Sequence, residues 1–186
     1  MGESVVPYDE PPGAVRWLFL AFALSGFSAI AYEVAWTRAL SMVLGSSIYA
    51  FCIMLATFLG GMAGGSLCAR RELRGRSASV RTFIQIELLL GCYGLFSIPL
   101  LSQLPDWFVM LWPLTGQTFS GLLWLQFLLS VLAMLFPTLL MGFLFPLVGD
   151  LVTRRFAQLG QRLGTAYAVN TVGGIFGSFL AGFVLI

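Results

Sequence analysis

Histidine is absent from this chain, and so is lysine: all ten basic residues are arginine, set against eight acids for a net charge of +2 over 186 residues. Without histidine the chain lacks the commonest ligand of haem, copper and catalytic zinc, and the usual general base near neutral pH. Its three cysteines, Cys52, Cys68 and Cys92, fit no zinc, iron–sulfur or CxxC spacing and lie in or at the ends of apolar runs, so they read as small core residues. No paired-carboxylate or serine-base motif is present. These absences predict no catalytic residue, no metal and no cofactor, and therefore no enzyme in this chain alone. Acids at Glu3, Asp9 and Glu10 stand where a cleavable signal peptide would carry a basic region, so none is expected. Charge of either sign is scarce, 10% of residues against about a quarter in soluble proteins, which leaves no nucleic-acid surface.

What fills the chain instead is apolar: 59% of residues, with a mean hydropathy of +0.92. That composition predicts an all-α polytopic transmembrane bundle whose first partner is the lipid bilayer. Residues 1–13, polar and carrying Pro7, Pro11 and Pro12, read as a tail in water, and 14–186 as the bundle. Five spans are expected, over about 14–37, 48–69, 82–104, 121–148 and 164–186. The loop after the second carries Arg70, Arg71, Arg74, Arg76 and Arg81, which the positive-inside rule places in the cytoplasm; the amino terminus is then cytoplasmic, in a multi-pass protein of the inner membrane. Gly65, Arg70, Arg71 and Gly75 are echoed by Gly149, Arg154, Arg155 and Gly160, a faint internal repeat or simply two short basic loops. Residues 105–120, with Trp107 and Trp112, are expected to form an outer loop in the headgroup layer, and Pro137 and Pro146 to kink the fourth span.

Two glycine stripes mark close helix packing: Gly60, Gly61, Gly64 and Gly65 in the second span, and Gly173, Gly174 and Gly177 in the fifth. Polar residues concentrate in 25–47, where Tyr32, Glu33, Trp36, Thr37 and Arg38 fall within seven positions. Tyr32, Trp36 and Arg38 read first as an interfacial anchor, with Tyr32 and Glu33 near the far interface. A carboxylate is superfluous in an anchor, and an intramembrane acid is a functional candidate. Glu33 and Arg38, five apart, are turned about 140° from each other on a continuous helix, so Arg38 reaches the headgroups or meets Glu33 only across a break. Glu87 in the third span is either capped by Gln85 or Arg81 or engaged in a substrate or proton role. Tyr167, Asn170 and Thr171 open the fifth span, where the amide is expected to bond to another helix.

Four stretches, SGFSAIAYEVAWTRALSMVLGSS from Ser25, FLGGMAGGSL from Phe58, PTLLMGFLFPL from Pro137 and GTAYAVNTVGGIFGSFLAGFVL from Gly164, resemble the membrane region of bacterial spermidine synthase-like integral membrane proteins. The loop GSLCARRELRGR from Gly65 also resembles the loop between spans two and three of major facilitator transporters, with Ala69 where that pattern carries an acid. The first resemblance implies a soluble aminopropyltransferase-like domain beyond the membrane part, binding decarboxylated S-adenosylmethionine and a polyamine. No Gly-x-Gly turn in a β-α-β setting occurs here to hold such a donor. An end at Leu185 and Ile186, inside an apolar run, fits a truncated member or one part of a longer protein. Two functions follow as expectations. One is a scaffold that anchors a downstream domain or packs against other membrane subunits. The other is a transporter or binding domain for a polyamine-like cation, using Glu33, Glu87, Tyr32 and Asn170.

Overall fold

A computed structural model describes residues 14–74, 78–155 and 159–184. The expected tail, Gly75 and Arg76 of the basic loop, and the last two residues lie outside them. Six helices account for nearly all of the rest: α1 (Ala14–Leu44), α2 (Ile48–Glu72), α3 (Val80–Leu111), α4 (Phe119–Ser130), α5 (Phe136–Arg155) and α6 (Leu159–Phe183). A π-helical segment, Val131–Leu135, joins α4 to α5 without a break, so the two form one crossing. Five helical stretches are long and apolar enough to span a bilayer, and the chain is a multi-pass helical membrane protein.

The expected spans hold in number but not in length, because several helices run on into polar sequence. α1 continues seven residues past the predicted end at 37, and α5 takes in Gly149, Asp150, Arg154 and Arg155, expected as loop. α3 passes through Pro99 and Pro105 to Leu111, so the outer loop shrinks to a 3-10 turn, Trp112–Thr115, and a left-handed pair, Gly116 and Gln117 at φ 67° and 53°. In a bilayer an interrupted helix must find other partners for its backbone, and that favours continuation through polar or proline residues. At 36 residues the third span is roughly 54 Å long, more than a 30 Å core requires, and must tilt or project.

Packing is organised in two parallel pairs, α1 with α6 and α2 with α5. Register shows the direction: Ala23 meets Gly173 and Phe27 meets Gly177, while Leu135 and Thr138 meet Gly61 and Leu139 meets Gly65. At each of these four glycines an added Cβ would collide with the partner's backbone carbonyl or the Thr138 hydroxyl, and such close approach is what small-xxx-small spacing permits. Gly142 and Gly26 return the contact, lying against Met62 and Asn170. Gly64 and Gly174 face only side chains, of Leu139 and Ile30, and Gly60 faces open space rather than a helix. Of the two stretches proposed as a repeat, Gly65 to Arg71 and Gly149 to Arg155 are therefore the ends of adjacent parallel helices, α2 and α5, at one end of the bundle, while Gly75 lies outside the described residues and Gly160 belongs to α6.

The interior has two apolar clusters. One gathers Phe22, Phe83, Ile86, Met141 and Leu147 toward the arginine-rich end and extends to Trp36. The other, toward the opposite end, gathers Leu40, Leu44, Met54, Leu104, Leu125 and Met134. Polar backbone groups are satisfied across helices. Pro137 has no N–H for the carbonyl of Ala133 or, in π geometry, of Leu132, and the Tyr93 hydroxyl donates to these at 2.7 and 3.5 Å. The Gln126 amide donates to the Leu44 carbonyl at the end of α1 at 2.8 Å, and Asp150 accepts the Ala78 N–H ahead of α3 at 3.0 Å.

Candidate functional site

The polar stretch of α1 divides between two faces. Residues 32 and 36 share one of them, four apart and therefore one above the other. Trp36 is 2% exposed and donates from its indole to the Ser97 hydroxyl of α3 at 3.2 Å; Ser97 in turn donates to the Gly94 carbonyl. Tyr32 stacks on Trp36 with ring centroids 5.2 Å apart, and its phenol occupies the space a side chain at Gly94 would need. The interfacial anchor is thus overturned for this pair: both aromatics brace α1 against α3 inside the bundle. α1 reaches Leu44, so Glu33 lies about 16 Å short of the helix end, near the middle of the span and not at the far interface.

Residues 33, 37 and 41 share the other face, again at intervals of four. With Arg38 they line a cleft of about 440 Å³ between α1 and α2, whose opposite wall is apolar: Phe51, Met54, Leu55 and Phe58, with Met134 at the back. Arg38 was expected to point away from Glu33. Both line this one cleft, because the long guanidinium stem covers the angular gap that backbone phase imposes. Neither charged group has an ion pair or hydrogen bond with a described residue. Thr37 and Ser41 add hydroxyls, Ser41 donating back to the Arg38 carbonyl at 2.8 Å. The cleft therefore presents one negative charge, one positive charge, two hydroxyls and an apolar wall, at a volume suited to a small organic ligand.

Glu87 belongs to a different place. Neither Gln85 nor Arg81 caps it, and both are exposed; its carboxyl finds the Ser25 hydroxyl of α1. One wall of this second cavity, about 80 Å³ in volume, is Ser25, Ser28 and Tyr32, and the other is Glu87, Gly91 and Met141. The α6 candidates join neither cavity. Tyr167 stacks on Phe145 at 5.9 Å, Thr171 donates to its own helix at Tyr167, and Asn170 lies over Gly26 as a packing group. The fold thus places Glu33 in the first cavity, Glu87 and Tyr32 in the second, and Asn170 in neither.

Two buried polar residues escaped notice in the sequence. Gln126 and Ser130, 2% and 0% exposed, are one turn apart on α4, and Gln126 Oε1 and Ser130 Oγ have no hydrogen-bond partner. An amide inside an apolar run was the available signal for Gln126, the one that singled out Asn170. Among the described residues no cluster of three or more cysteines or acids could hold a metal ion. No family model, curated protein or solved structure matches the chain, so what sequence and structure establish together is a multi-pass, all-α membrane protein with a charged cleft between α1 and α2.

Proposed function

We propose that this chain is a membrane-embedded binding domain for a small amphipathic molecule bearing both an ammonium and an acidic group, held between α1 and α2. The observation that carries this is the cleft itself: Glu33 and Arg38 line one volume of about 440 Å³ with no partner for either charge among the described residues. Uncompensated charges within a span are costly, and a ligand that pairs with both relieves that cost. Glu33 takes the ammonium, Arg38 the phosphate or carboxylate, and Phe51, Leu55 and Phe58 the acyl or alkyl part. A polyamine fits less well, because Arg38 repels it. The arginine-rich end of the bundle faces the cytoplasm of an inner membrane, which puts the cleft in the outward half. In a thermal-unfolding assay of the purified chain, lysophosphatidylethanolamine raises the midpoint and spermidine does not; stabilisation by spermidine alone would reverse the assignment.

A second function has its own support. Ala56, Gly60 and Ala63 form an exposed small-residue face on α2, with nothing within 4 Å of a Cβ at Gly60, which suits the seat of another membrane subunit. Cross-linking from a cysteine at position 60 in native membranes tests this, and recovery of the monomer alone would count against it.

A further inference from the structure

Glu87 has no part in the cleft between α1 and α2. It sits on α3 with its carboxyl turned toward α1, in a cavity that its own side chain shares with Ser25, Ser28 and Tyr32. Ser25 is 7% exposed and is the hydroxyl that reaches the carboxyl. The second carboxyl oxygen, Oε1, is buried and has no hydrogen-bond partner among the described residues. Ser28 and Gly91 are exposed, so the cavity is open on one side, between the lipid-facing edges of α1 and α3. No arginine lines it, and α5 adds only Met141; Tyr32 is the one other titratable side chain on its wall.

These features define the occupant narrowly. One carboxylate without a cationic neighbour calls for a single positive charge. Its other donors are hydroxyl oxygens, the ligand set of hard ions and not of soft transition metals. The volume of about 80 Å³ has room for a small ion and a few waters, since a water needs at least about 10–15 Å³ by this measure, and it falls well short of the roughly 300 Å³ at which organic ligand sites begin. We infer that Glu87, with the Ser25, Ser28 and Tyr32 hydroxyls, forms a binding site for one small hard monocation, a proton or a sodium ion, entering between α1 and α3. Its geometry does not depend on what the other cleft binds.

Dicyclohexylcarbodiimide tests this directly, because it adds to membrane-embedded carboxyl groups in their protonated form. The full chain in neutral-lipid nanodiscs is treated with the reagent, and modification of Glu87 is followed by peptide mass spectrometry. Sodium chloride is compared with N-methylglucamine chloride at equal ionic strength, between about pH 5 and pH 9, a range wide enough to cover a displaced carboxyl titration. Labelling of Glu87 is expected to slow at least tenfold on adding sodium at constant pH if sodium is the occupant. If the occupant is a proton, labelling slows as far on raising the pH and does not respond to sodium. Glu87→Gln abolishes labelling of that peptide. Ser25→Ala and Ser28→Ala retain Glu87 and shift the protecting sodium concentration or the midpoint pH at least threefold or half a unit. Labelling indifferent to both sodium and pH overturns the site, as does labelling of Glu33 but not Glu87 in the same sample. Unchanged midpoints in both serine variants overturn the ligand set.

Discussion

Removing the Tyr93 hydroxyl tests how the fourth crossing tolerates its proline. Pro137 has no N–H, and the carbonyls that would have received it, Ala133 in α geometry and Leu132 in π geometry, both lie within reach of that hydroxyl, at 2.7 and 3.5 Å. Tyr93→Phe keeps the ring, which packs edge-on to Trp36 at 5.9 Å and against Phe136 at 5.5 Å, so only the hydrogen bond is lost. An orphaned buried carbonyl costs about 1–3 kcal/mol in proteins generally, and hydrogen bonds between transmembrane helices average about 0.6 with a maximum near 1.7 kcal/mol. We expect about 1.5 kcal/mol, near the top of the membrane range, because Pro137 has no N–H to take the place of the hydroxyl. Reversible unfolding in mixed detergent–SDS micelles measures it, and a double-mutant cycle isolates the cause. In a Pro137→Ala background the backbone supplies its own N–H, and Tyr93→Phe should then cost about 0.5 kcal/mol or less. An equal cost in both backgrounds, or no cost in either, would refute the reasoning.

Other consequences follow from the helix pairs and caps. Gly177→Ala, whose Cβ meets the Phe27 carbonyl, should destabilise the bundle by about 1–3 kcal/mol in the same unfolding assay, while Gly60→Ala, facing open space, changes it by less than about 0.5. Gln126→Leu removes the donor to the Leu44 carbonyl at the end of α1 and should speed hydrogen exchange through the 44–47 turn; because it also deletes the unpaired Oε1, its net cost stays below about 1 kcal/mol. Asp150→Ala removes the acceptor of the Ala78 N–H and should raise exchange at 78–81 without affecting the far end of the bundle, so exchange that rises uniformly would contradict a local role.

The number of crossings and the close-packing role of Gly61, Gly65, Gly173 and Gly177 could be read from apolar length and small-residue spacing, since both depend on local sequence. Helix ends could not. Residues 38–44 and 149–155 contain arginine, serine or aspartate and read as interface or loop, yet backbone hydrogen bonding within a bilayer carries the helices through them. Spacing alone also left open which glycine of each adjacent pair turns inward. Gly61 packs and Gly60 does not because α5 lies on one side of α2, a tertiary fact. Trp36 and Tyr32 matched an interfacial belt in type and position, and only the placement of α3, with Ser97 and Gly94 opposite them, makes them interior. For Glu33 and Arg38 the phase argument was sound for Cα directions but did not allow for the length of the arginine side chain. Glu87 looked like the partner of its sequence neighbours, whereas its hydroxyl comes from Ser25, sixty-two positions earlier and on another helix.

The direct test of the binding domain is to measure how many zwitterionic amphiphiles the cleft holds and what they need. Native mass spectrometry of the chain titrated with lysophosphatidylethanolamine should show one saturable equivalent. Glu33→Gln and Arg38→Gln should each weaken that binding at least tenfold, about 1.4 kcal/mol or more, and Glu87→Gln should leave it unchanged. Equal binding by the native chain and by the Glu33→Gln, Arg38→Gln double variant would contradict the account.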